Sequence, residues 1–463
     1  MTHYHFIGIG GAGLSPIARY LLEKGHQISG SDLHISPAIQ ELEELGAQIF
    51  IGHQANQIKN ADVIIRSSAI PDSNVEVMAG LVADIPVKKR IDFIGEMTAG
   101  KKVIAVAGTH GKTTTTAMIS WCLNQLGLDP SFIIGGKSKN LGTNSHAGLG
   151  EFFVIEADEY DHMFLGLTPN LLVITNIEHD HPDHFPTEKH YFDAFKELTA
   201  LIQPSGKLLV CGDHVGSRKL LEHVEGEFSK FSYGKDMPCD YLIQNIHHRP
   251  FCGISFDFAR KDEWGKYESK TLDLQISGEH NARNACAALA VVHLLGENID
   301  KAKIAMQVFS GTSRRFDIRG KVGGIVIIDD YAHHPSEIRA TLAAARCRYP
   351  EKDIWCVWQP HTYSRTRELI RDFADAFGDC DHVIVTDVFA SREKKQDFSS
   401  GEVVNLMRHP DAQHIGQFAD VEIFLVNHLQ PGDVLLVLSA GDADQISQDV
   451  LIRLSVKENN IHD

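Results

Sequence analysis

Residues 103–116 read VIAVAGTHGKTTTT, an apolar run rich in β-branched residues that breaks into GTHGKT. A buried strand, a loop of backbone N–H groups and a helix N-terminus together form the usual phosphate-binding loop. In such a loop Lys112 would reach the β- and γ-phosphates of ATP, and the Thr113 hydroxyl would bind Mg²⁺. The general pattern has a glycine five residues before Gly111, where this chain has Val106. A tight strand–helix turn with a solvated lysine is therefore the alternative interpretation.

The composition narrows the class of protein. A chain of 463 residues predicts about three domains, at roughly 100–200 residues each. A net charge of −17 argues against a surface for nucleic acid or anionic membranes. The sequence has no apolar run of about 18 residues, no basic leader with a cleavage site, and no C-x-x-C pair among its eight cysteines. We therefore expect a cytoplasmic protein with reduced thiols and no structural zinc, acting on small molecules as a monomer or weak homodimer.

A second glycine-rich loop lies near the N-terminus. A strand over Tyr4–Ile9 leads into GIGGAG at residues 8–13, followed by a helix-like stretch and a second strand. That strand ends at Asp32, 19 residues after Gly13. This βαβ pattern lets a pyrophosphate approach the helix N-terminus and gives ribose hydroxyls an acidic partner. NAD(P), FAD and a UDP-sugar fit the pattern equally well, and a tight turn without a ligand is the alternative.

Strands and helices alternate along most of the remaining chain. This alternation predicts mostly parallel sheets, with a β-rich insertion over residues 228–276. A basic segment at 88–90 and the pair Arg314-Arg315 mark candidate boundaries. The predicted fold class is α/β with three domains. They are a Rossmann-like domain at 1–98, a P-loop ATPase-like domain at 99–316 and a second Rossmann-like domain at 317–463.

Two acidic motifs follow apolar strands of the central domain. The first, EADEYD at residues 156–161, offers the hard oxygen ligands that Mg²⁺ prefers, although an acidic solvated loop would look the same. The second, NIEHDHPDH at 176–184, resembles a metal site, but it has no helical His pair and Pro182 interrupts any helix. A second Mg²⁺ position or a catalytic contact is favoured over zinc, and a polar loop is the alternative.

Four further motifs carry groups that bind nucleotides or carboxylates. HNARN at 280–284 could border an adenine, or Asn281 could cap the following helix. SRRF at 313–316 could clamp a phosphate when domains close, or serve as a solvated linker. DDYAHHP at 329–335 and QPHTYSRTR at 359–367 follow apolar strands, which places them at the sheet edge where α/β proteins bind ligands.

Taken together, the motifs resemble those of the Mur ligase family, ATP-dependent amide-forming enzymes of peptidoglycan precursor synthesis. Eight segments occur in the family's order between Gly8 and Asp442: GIGGxG, GTHGKTTT, EADE, TNIxxDH, GxHNxxN, RRF, DDYAHHP and QPHxYxRT. The resemblance also accounts for Val106, because the phosphate loop of this family is shorter than the general one.

The resemblance implies roles for particular residues. A UDP-sugar would lie against Gly10, Gly11, Gly13, Ser15, Asp32, Ser67 and Ser68. ATP would be held by Gly108, Thr109, His110, Gly111, Lys112, Thr113, Thr114, His280, Asn281, Asn284, Arg315 and Asp330. Mg²⁺ would be ligated by Thr113, Glu156 and His181. The catalytic and amino-acid-binding residues would be Lys112, His181, His333, His361 and Arg365, with Arg365 binding an α-carboxylate.

The implied substrates are ATP, UDP-N-acetylmuramate and L-alanine. A family member that joins a tripeptide to the same UDP-sugar is the nearest alternative, favoured by Tyr160, where many alanine-adding members have serine. An NAD-dependent oxidoreductase would leave the phosphate loop unexplained, and a P-loop switch would not need His361 and Arg365. Both remain alternatives, and each belongs to a class of protein other than the ligases.

Overall fold

The computed structural model describes residues 1–182, 184–235, 238–251, 253–262 and 265–462, with side chains up to residue 458. Asp183 of the second acidic motif and Cys252 lie outside the described residues. The chain forms three sheets in succession, each covered by helices. This confirms the predicted α/β class with three domains, while the exact boundaries at residues 98 and 316 stay predictions.

The N-terminal sheet has five parallel strands in the order β3-β2-β1-β4-β5. Its elements are β1 (His3–Ile7), α1 (Ser15–Glu23), β2 (Gln27–Asp32), α2 (Pro37–Glu44), β3 (Gln48–Ile51), β4 (Val63–Arg66), α3 (Val75–Val82), β5 (Val87–Lys89) and α4 (Arg90–Thr98). The segment at 88–90, predicted to be only a boundary, in fact joins an edge strand to a helix. The strand order reverses direction beside β1, so the glycine loop after β1 opens at the usual ligand crevice.

The central sheet has ten strands in the order β15-β14-β13-β12-β11-β10-β6-β9-β7-β8. Its first part contains β6 (Lys102–Ala107), α5 (Lys112–Gln125), β7 (Ser131–Ile133), β8 (Ser145–His146), β9 (Phe152–Glu156), a 3₁₀ segment (Tyr160–Gly166), β10 (Leu171–Ile174) and α6 (Glu188–Thr199). Its second part contains β11 (Lys207–Cys211), α7 (Val215–His223), β12 (Ser229–Gly234), β13 (Tyr241–Arg249), β14 (Gly253–Lys261), β15 (Tyr267–Leu274), α8 (Glu279–Leu294) and α9 (Ile299–Gln307). The antiparallel ribbon β13–β15 is the β-rich insertion that the sequence predicts.

Helices α5 and α8 pack against each other in the core of the central domain. The face of α8 is made of small side chains, including Ala285 and Ala288, which are fully buried. Small residues allow two helices to approach closely, and this approach brings the start of α8 to the start of α5. The packing therefore places Asn284 beside the phosphate loop.

The C-terminal sheet has six strands in the order β16-β17-β21-β18-β19-β20, parallel except for the edge strand β16. Its elements are β16 (Asp317–Val322), β17 (Ile325–Asp330), α10 (Pro335–Arg348), β18 (Ile354–Trp358), α11 (Tyr363–Glu368), α12 (Ile370–Ala374), β19 (His382–Val385), α13 (Gly401–Leu406), β20 (Ala412–His414), α14 (Phe418–His428), β21 (Val434–Leu438) and α15 (Asp444–His462). Leu369 separates α11 from α12. Among the described residues, no helix is long and apolar enough to cross a membrane.

Candidate active site

The phosphate loop joins β6 to α5 and is held in place by the end of the neighbouring strand β10. The His110 N–H donates to Asn176 Oδ1 (2.9 Å), and the carbonyl of His110 accepts from Thr175 Oγ1 (2.6 Å) and Asn176 Nδ2 (3.0 Å). Gly108 has a φ of +133°, and a Cβ there would lie 2.1 Å from Thr175 Oγ1. Only glycine fits this approach, so the loop conformation is fixed before any ligand binds.

Lys112 is the first residue of α5, and its ammonium group is buried in the loop. Its Nζ donates to the carbonyls of Gly108 (2.6 Å) and Thr109 (3.1 Å) and pairs with Glu159 (2.9 Å). Burial lowers the pKa of Lys112, but the neighbouring carboxylates, Glu159 first, outweigh burial and raise it. The lysine therefore carries its charge at any physiological pH, as a phosphate ligand must.

Thr113 and Glu156 form an oxygen pair that fits Mg²⁺. Thr113 Oγ1 donates to Glu156 Oε1 (3.0 Å), and Glu156 Oε2 accepts from the N–H of Gly135 (2.7 Å). Burial raises the pKa of Glu156, so a cation at this carboxylate would offset an unfavourable burial of charge. Hydroxyl and carboxylate oxygens are the ligands that Mg²⁺ prefers. His181 Nε2 lies 3.8 Å from Glu159 Oε1. The predicted role of His181 as a magnesium ligand stays a prediction.

One group of three residues could by spacing hold a metal ion among the described residues: His110, Glu178 and His334. His110 donates from Nε2 to Glu178 (3.0 Å) and from Nδ1 to Glu337 (3.1 Å). Burial lowers the pKa of His110, but Glu337 and Glu178 outweigh it and raise the pKa to about 9. In this structure both ring nitrogens of His110 face carboxylates, so His110 forms a hydrogen-bonded bridge between the central and C-terminal domains.

A cavity of about 450 Å³ lies between the central and C-terminal domains. Nine of the twelve residues that the sequence assigns to ATP line it: His110, Gly111, Thr113, Thr114, His280, Asn281, Asn284, Arg315 and Asp330. Sequence analysis missed other lining residues: Glu178, His214, Tyr233, Ile276, Arg283, Phe316 and Glu337. Glu178, Arg283 and Phe316 belong to motifs quoted above but were given no role in ATP binding. The others lie outside those motifs, so only their spatial convergence identifies them.

The end of the cavity near α8 suits a neutral heterocycle. Burial, with help from Arg283, lowers the pKa of His280 to about 4, so its imidazole is neutral. Asn281 Nδ2 donates to the carbonyl of Ser277 (2.7 Å), and Gly278 occupies the cap position of α8. The alternative that Asn281 caps this helix is therefore wrong, because the helix begins two residues earlier.

The C-terminal side of the cavity is formed by Arg315 and Asp330. Arg315 Nη1 lies 3.7 Å from Glu337 Oε1. Asp330 accepts from the N–H groups of Phe316 (2.6 Å) and Ala332 (2.8 Å), and burial raises its pKa to about 6 in spite of Arg315. Arg314 points elsewhere and donates to the carbonyl of Ser439 (2.8 Å). Of the two adjacent arginines, only Arg315 faces the cavity.

His333, His361 and Arg365 come together beside His181, as the sequence predicts. Arg365 Nη1 donates to His361 Nδ1 (3.0 Å), and the rings of His333 and His361 lie 5.7 Å apart. Burial, with the nearby cations, lowers the pKa of His361 to about 2. Burial also lowers the pKa of His333 to about 4, so both imidazoles are neutral.

The partner of Arg365 is a residue that sequence analysis did not select. Arg365 has a side-chain exposure of 3% and pairs with Asp180 at 2.8 Å across the domain boundary. Burial would raise the pKa of Asp180, but Arg365 outweighs it and holds that pKa well below its usual range. The guanidinium predicted to hold an α-carboxylate of the substrate thus already holds a carboxylate of the protein.

The N-terminal glycine loop is braced by two charged residues. Asp32 accepts from the N–H of Gly10 (2.9 Å), so one function of Asp32 is to fix the loop. A Cβ on Gly13 would lie 2.2 Å from Arg90 Nη1, and Arg90 also pairs with Asp158 (2.8 Å). Arg90 therefore connects this loop to the central domain, which the basic composition of residues 88–90 had not revealed.

The other residues predicted for the UDP-sugar lie around the same loop. Ser15 begins α1, the N–H of Gly11 donates to the carbonyl of Gly8 (3.2 Å), and a Cβ on Gly8 would lie 3.1 Å from Ser67 Cβ. Ser68 follows on the exposed surface. The structure thus gathers these residues at one sheet edge, while their role in binding stays a prediction.

Comparison with known proteins agrees with this geometry. Three family descriptions match in order: "Mur ligase family, catalytic domain" at residues 3–102, "Mur ligase middle domain" at 106–292 and "Mur ligase, glutamate ligase domain" at 314–441. The chain belongs to the Mur ligase family and is an ATP-dependent ligase.

Individual relatives share nearly the whole length of the chain. A UDP-N-acetylmuramate–L-alanine ligase of Roseiflexus sp. (strain RS-1) is 41% identical, covering 97% of this chain and 98% of the relative. One from Alkaliphilus metalliredigens (strain QYMF) is also 41% identical, covering 97% of each chain. The crystal structure of a UDP-N-acetylmuramate-alanine ligase from Thermotoga maritima matches with a TM-score of 0.84 at 26% identity, covering 99% of this chain and 100% of the other. A murein peptide ligase from Psychrobacter arcticus matches with a TM-score of 0.73 at 25% identity, covering 98% and 99%.

Proposed function

We propose that this protein joins L-alanine to the lactyl carboxylate of UDP-N-acetylmuramate, with ATP converted to ADP and phosphate. The observation that carries the proposal is that the phosphate loop, which lines the cavity between two domains, and the region where His333 and His361 lie near His181 are joined through Glu159. Relatives named for this reaction at 41% identity over nearly the whole chain support the choice of substrates.

In this proposal the three substrates are divided among the three domains. The domain at 1–98 holds the UDP-sugar at its glycine loop, with Arg90 close to the pyrophosphate. The domain at 99–316 holds ATP, and the domain at 317–463 presents the amino acid and completes the nucleotide site through Arg315. Closure of the three domains assembles the site and excludes water that would hydrolyse an activated acyl group.

The chemistry follows from the poor reactivity of a carboxylate as an acyl donor. An oxygen of the lactyl carboxylate attacks the γ-phosphorus of ATP, ADP leaves, and an acyl phosphate forms. The amine of alanine then attacks the acyl carbon, and phosphate leaves from a tetrahedral intermediate. Lys112, fixed at the phosphate loop, stabilises the charge on the transferred phosphoryl group.

Magnesium would be held by Thr113 and Glu156, where it would neutralise phosphate charge. We propose that His181 contacts the γ-phosphate region from the side of Glu159. Metal analysis of the purified protein should find no stoichiometric zinc, and activity should require added Mg²⁺. A zinc ion that is lost in His181→Ala would contradict this assignment.

A murein-peptide ligase activity is the second candidate. Tyr160, which lies beside His181, and the match to the Psychrobacter arcticus structure favour it. The match to the Thermotoga maritima alanine ligase has the higher TM-score, 0.84 against 0.73, which supports the choice of alanine over the tripeptide.

The deciding experiment is ADP release in the presence of UDP-N-acetylmuramate and either L-alanine, glycine, L-serine or the tripeptide. L-Alanine should give the highest kcat/KM. Turnover with the tripeptide alone would favour the second candidate. ADP release at the same rate without the UDP-sugar and the amino acid would reject ligation altogether.

Calorimetric titration should show that the protein binds the UDP-sugar, that Asp32→Ala weakens this binding, and that NAD does not bind.

A further inference from the structure

Three side chains from two domains bring their ligand atoms together beside the nucleotide cavity. His110 belongs to the phosphate loop and Glu178 follows β10, both in the central domain, while His334 stands directly before α10 in the C-terminal domain. The ligand atoms of all three lie within 4.8 Å of one another. This group shares no residue with the Thr113–Glu156 pair that suits Mg²⁺.

The separations between the donor atoms are close to those around a single metal ion. His110 Nε2 lies 3.0 Å from Glu178 Oε2, and His334 Nδ1 lies 3.9 Å from the same oxygen. Two ligands bonded to zinc at tetrahedral angles stand roughly 3.3–3.6 Å apart. Side-chain shifts of about half an ångström would bring both pairs to that separation. The ring centroids of His110 and His334 are 4.8 Å apart, so one ion can reach both imidazoles.

Two further side chains hold the ligands in the orientation that a metal ion requires. Glu337 accepts from Nδ1 of His110 (3.1 Å), so Nε2 is the nitrogen that faces Glu178. Ser336 Oγ donates to Glu178 Oε1 (2.7 Å), so Oε2 is the oxygen that faces the histidines. Histidine ligands usually donate their other ring N–H to a carboxylate, and carboxylate ligands are themselves hydrogen-bonded. The group around Glu178 has both features.

The charges of the group also suit a divalent cation. Burial would raise the pKa of Glu178, but the contact with His110 outweighs it and lowers that pKa to about 2. Burial lowers the pKa of His334, so its imidazole is neutral and keeps a lone pair for a metal. His334 Nδ1 accepts a long hydrogen bond from the N–H of Ser336 (3.3 Å), which a metal ion would replace. The ion would also replace the Nε2 proton of His110, and this proton leaves to solvent.

The donor set determines which metals fit. Imidazole nitrogen suits Zn²⁺ and neighbouring transition metals, whereas Mg²⁺ prefers oxygen ligands. Two imidazoles, one carboxylate and a water molecule form the usual open zinc site, and water can enter because the Glu178 side chain is 43% exposed. Since His110 must lose a proton, the affinity is lower than that of a dedicated zinc site, and protein purified without added zinc stays free of it.

We propose that His110, Glu178 and His334 bind a divalent transition-metal ion of the zinc type, and that the bound ion clamps the central domain to the C-terminal domain. His110 and Glu178 both line the nucleotide cavity, so the occupied site inhibits ADP release. The inhibition rests on the proposed function, whereas the binding of the ion does not.

The test measures binding of Co²⁺ and Zn²⁺ alone to the full chain, by calorimetric titration and by the visible absorption of bound Co²⁺. The wild type is compared with His334→Asn, in which asparagine can still cap α10. His146→Asn is the matched control, because His146 also lies between two carboxylates, Glu23 (3.1 Å) and Asp129 (3.2 Å). Among the described residues His146 belongs to no group of three with metal-binding spacing.

Glu337→Gln should weaken Co²⁺ binding by about 10- to 100-fold, the usual effect of changing a residue that orients a ligand, and His334→Asn should weaken it at least as much. His146→Asn should bind Co²⁺ like the wild type. Zn²⁺ should raise the midpoint of thermal unfolding of the wild type but not of His334→Asn. An excess of Mg²⁺ should not displace Co²⁺. In the ADP-release assay, buffered Zn²⁺ should inhibit the wild type more strongly than His334→Asn.

Equal Co²⁺ affinity in the wild type, Glu337→Gln and His334→Asn would overturn the site, as would displacement by Mg²⁺ or an equal loss of binding in His146→Asn. Equal inhibition by Zn²⁺ in the wild type and His334→Asn would overturn the inhibitory role. Failure of the proposed function has a different signature: the wild type would release no ADP with Mg²⁺, the UDP-sugar and L-alanine, while Co²⁺ binding would be unaffected.

Discussion

At the scale of single residues, several charges of the site are paired with an opposite charge of the protein. Lys112 illustrates this: its ammonium is bound by two loop carbonyls and by Glu159 before ATP enters. A preorganised charge of this kind does not need to be reoriented when the phosphoryl group is transferred.

We expect Lys112→Ala to lower the rate of ADP release by a factor on the order of 10² or more, the usual result of deleting one electrostatic stabiliser. Lys189→Ala is the control, because Lys189 pairs with Asp193 on the exposed face of α6, away from the phosphate loop. Circular dichroism should show that both variants are folded. Near-normal turnover in Lys112→Ala would remove the phosphate loop from the mechanism.

His110 gives a pH dependence whose sign can be worked out. Its pKa rises from about 6.5 to about 9 in the folded protein, against the effect of burial, because Glu337 and Glu178 favour the imidazolium. Below pH 6.5 the group is charged in both the folded and the unfolded state, so its stabilisation is fully present. As the pH rises through 9 the folded state also loses the proton, and a contribution of up to about 3 kcal/mol is lost.

The midpoint of thermal unfolding of the wild type should therefore fall between pH 6.5 and 9.5 by more than that of His110→Asn. His190→Asn, on the exposed face of α6, should behave like the wild type. If His110→Asn shows the same pH dependence as the wild type, the bridge between Glu178 and Glu337 does not contribute to stability.

At the scale of elements, the start of α5 depends on the start of α8. Gly111 has a φ of +82°, and a Cβ there would lie 2.7 Å from Asn284 Oδ1 on α8. Gly127, just beyond the other end of α5, has a φ of +79° but no atom within 4 Å of its Cβ position. The two glycines share the backbone conformation and differ only in what surrounds them.

Both Gly111→Ala and Gly127→Ala should lower the free energy of unfolding by roughly 1–2 kcal/mol, because alanine is strained at a positive φ. Only Gly111→Ala should also weaken ATP binding, since it displaces Asn284 and the first turn of α5 at the cavity. Urea unfolding and calorimetric titration with ATP separate the two effects. Equal nucleotide affinity in both variants would show that the contact with Asn284 does not shape the site.

At the scale of the whole molecule, polar contacts close the central domain onto the C-terminal domain. Arg365 pairs with Asp180, Ser336 Oγ donates to Glu178 (2.7 Å), and His110 bridges to Glu337. The residues of the last two contacts line the nucleotide cavity, so closure and nucleotide binding use neighbouring groups.

Asp180→Asn should favour an open arrangement, because removing one partner of a buried pair costs about 3–5 kcal/mol. Small-angle scattering with a saturating ATP analogue should give a larger radius of gyration for Asp180→Asn than for the wild type. The double variant Asp180→Asn/Arg365→Gln should recover part of the difference, since no buried charge is then unpaired. Equal radii in all three proteins would show that this pair does not control closure.

The sequence by itself determined the α/β class, the three-domain organisation and nine of the residues that line the cavity between two domains. These features depend on local patterns: apolar strands, glycines at loop positions, and polar residues directly after strand ends. Parallel strands bring their carboxyl ends to one edge, so Lys112, Glu156 and Asn176 could be expected to meet there before the fold was known.

Only the tertiary structure decided which charges meet across domains. Asp180 lies 185 positions from Arg365, and His110 and His334 belong to different domains, so no local pattern connects either pair. The sequence identified Arg365 as a carboxylate-binding fork but gave no sign of its pairing with Asp180. Its binding of a substrate carboxylate stays a prediction. Electrostatic pairing depends on distance and burial, and both are properties of the packed domains.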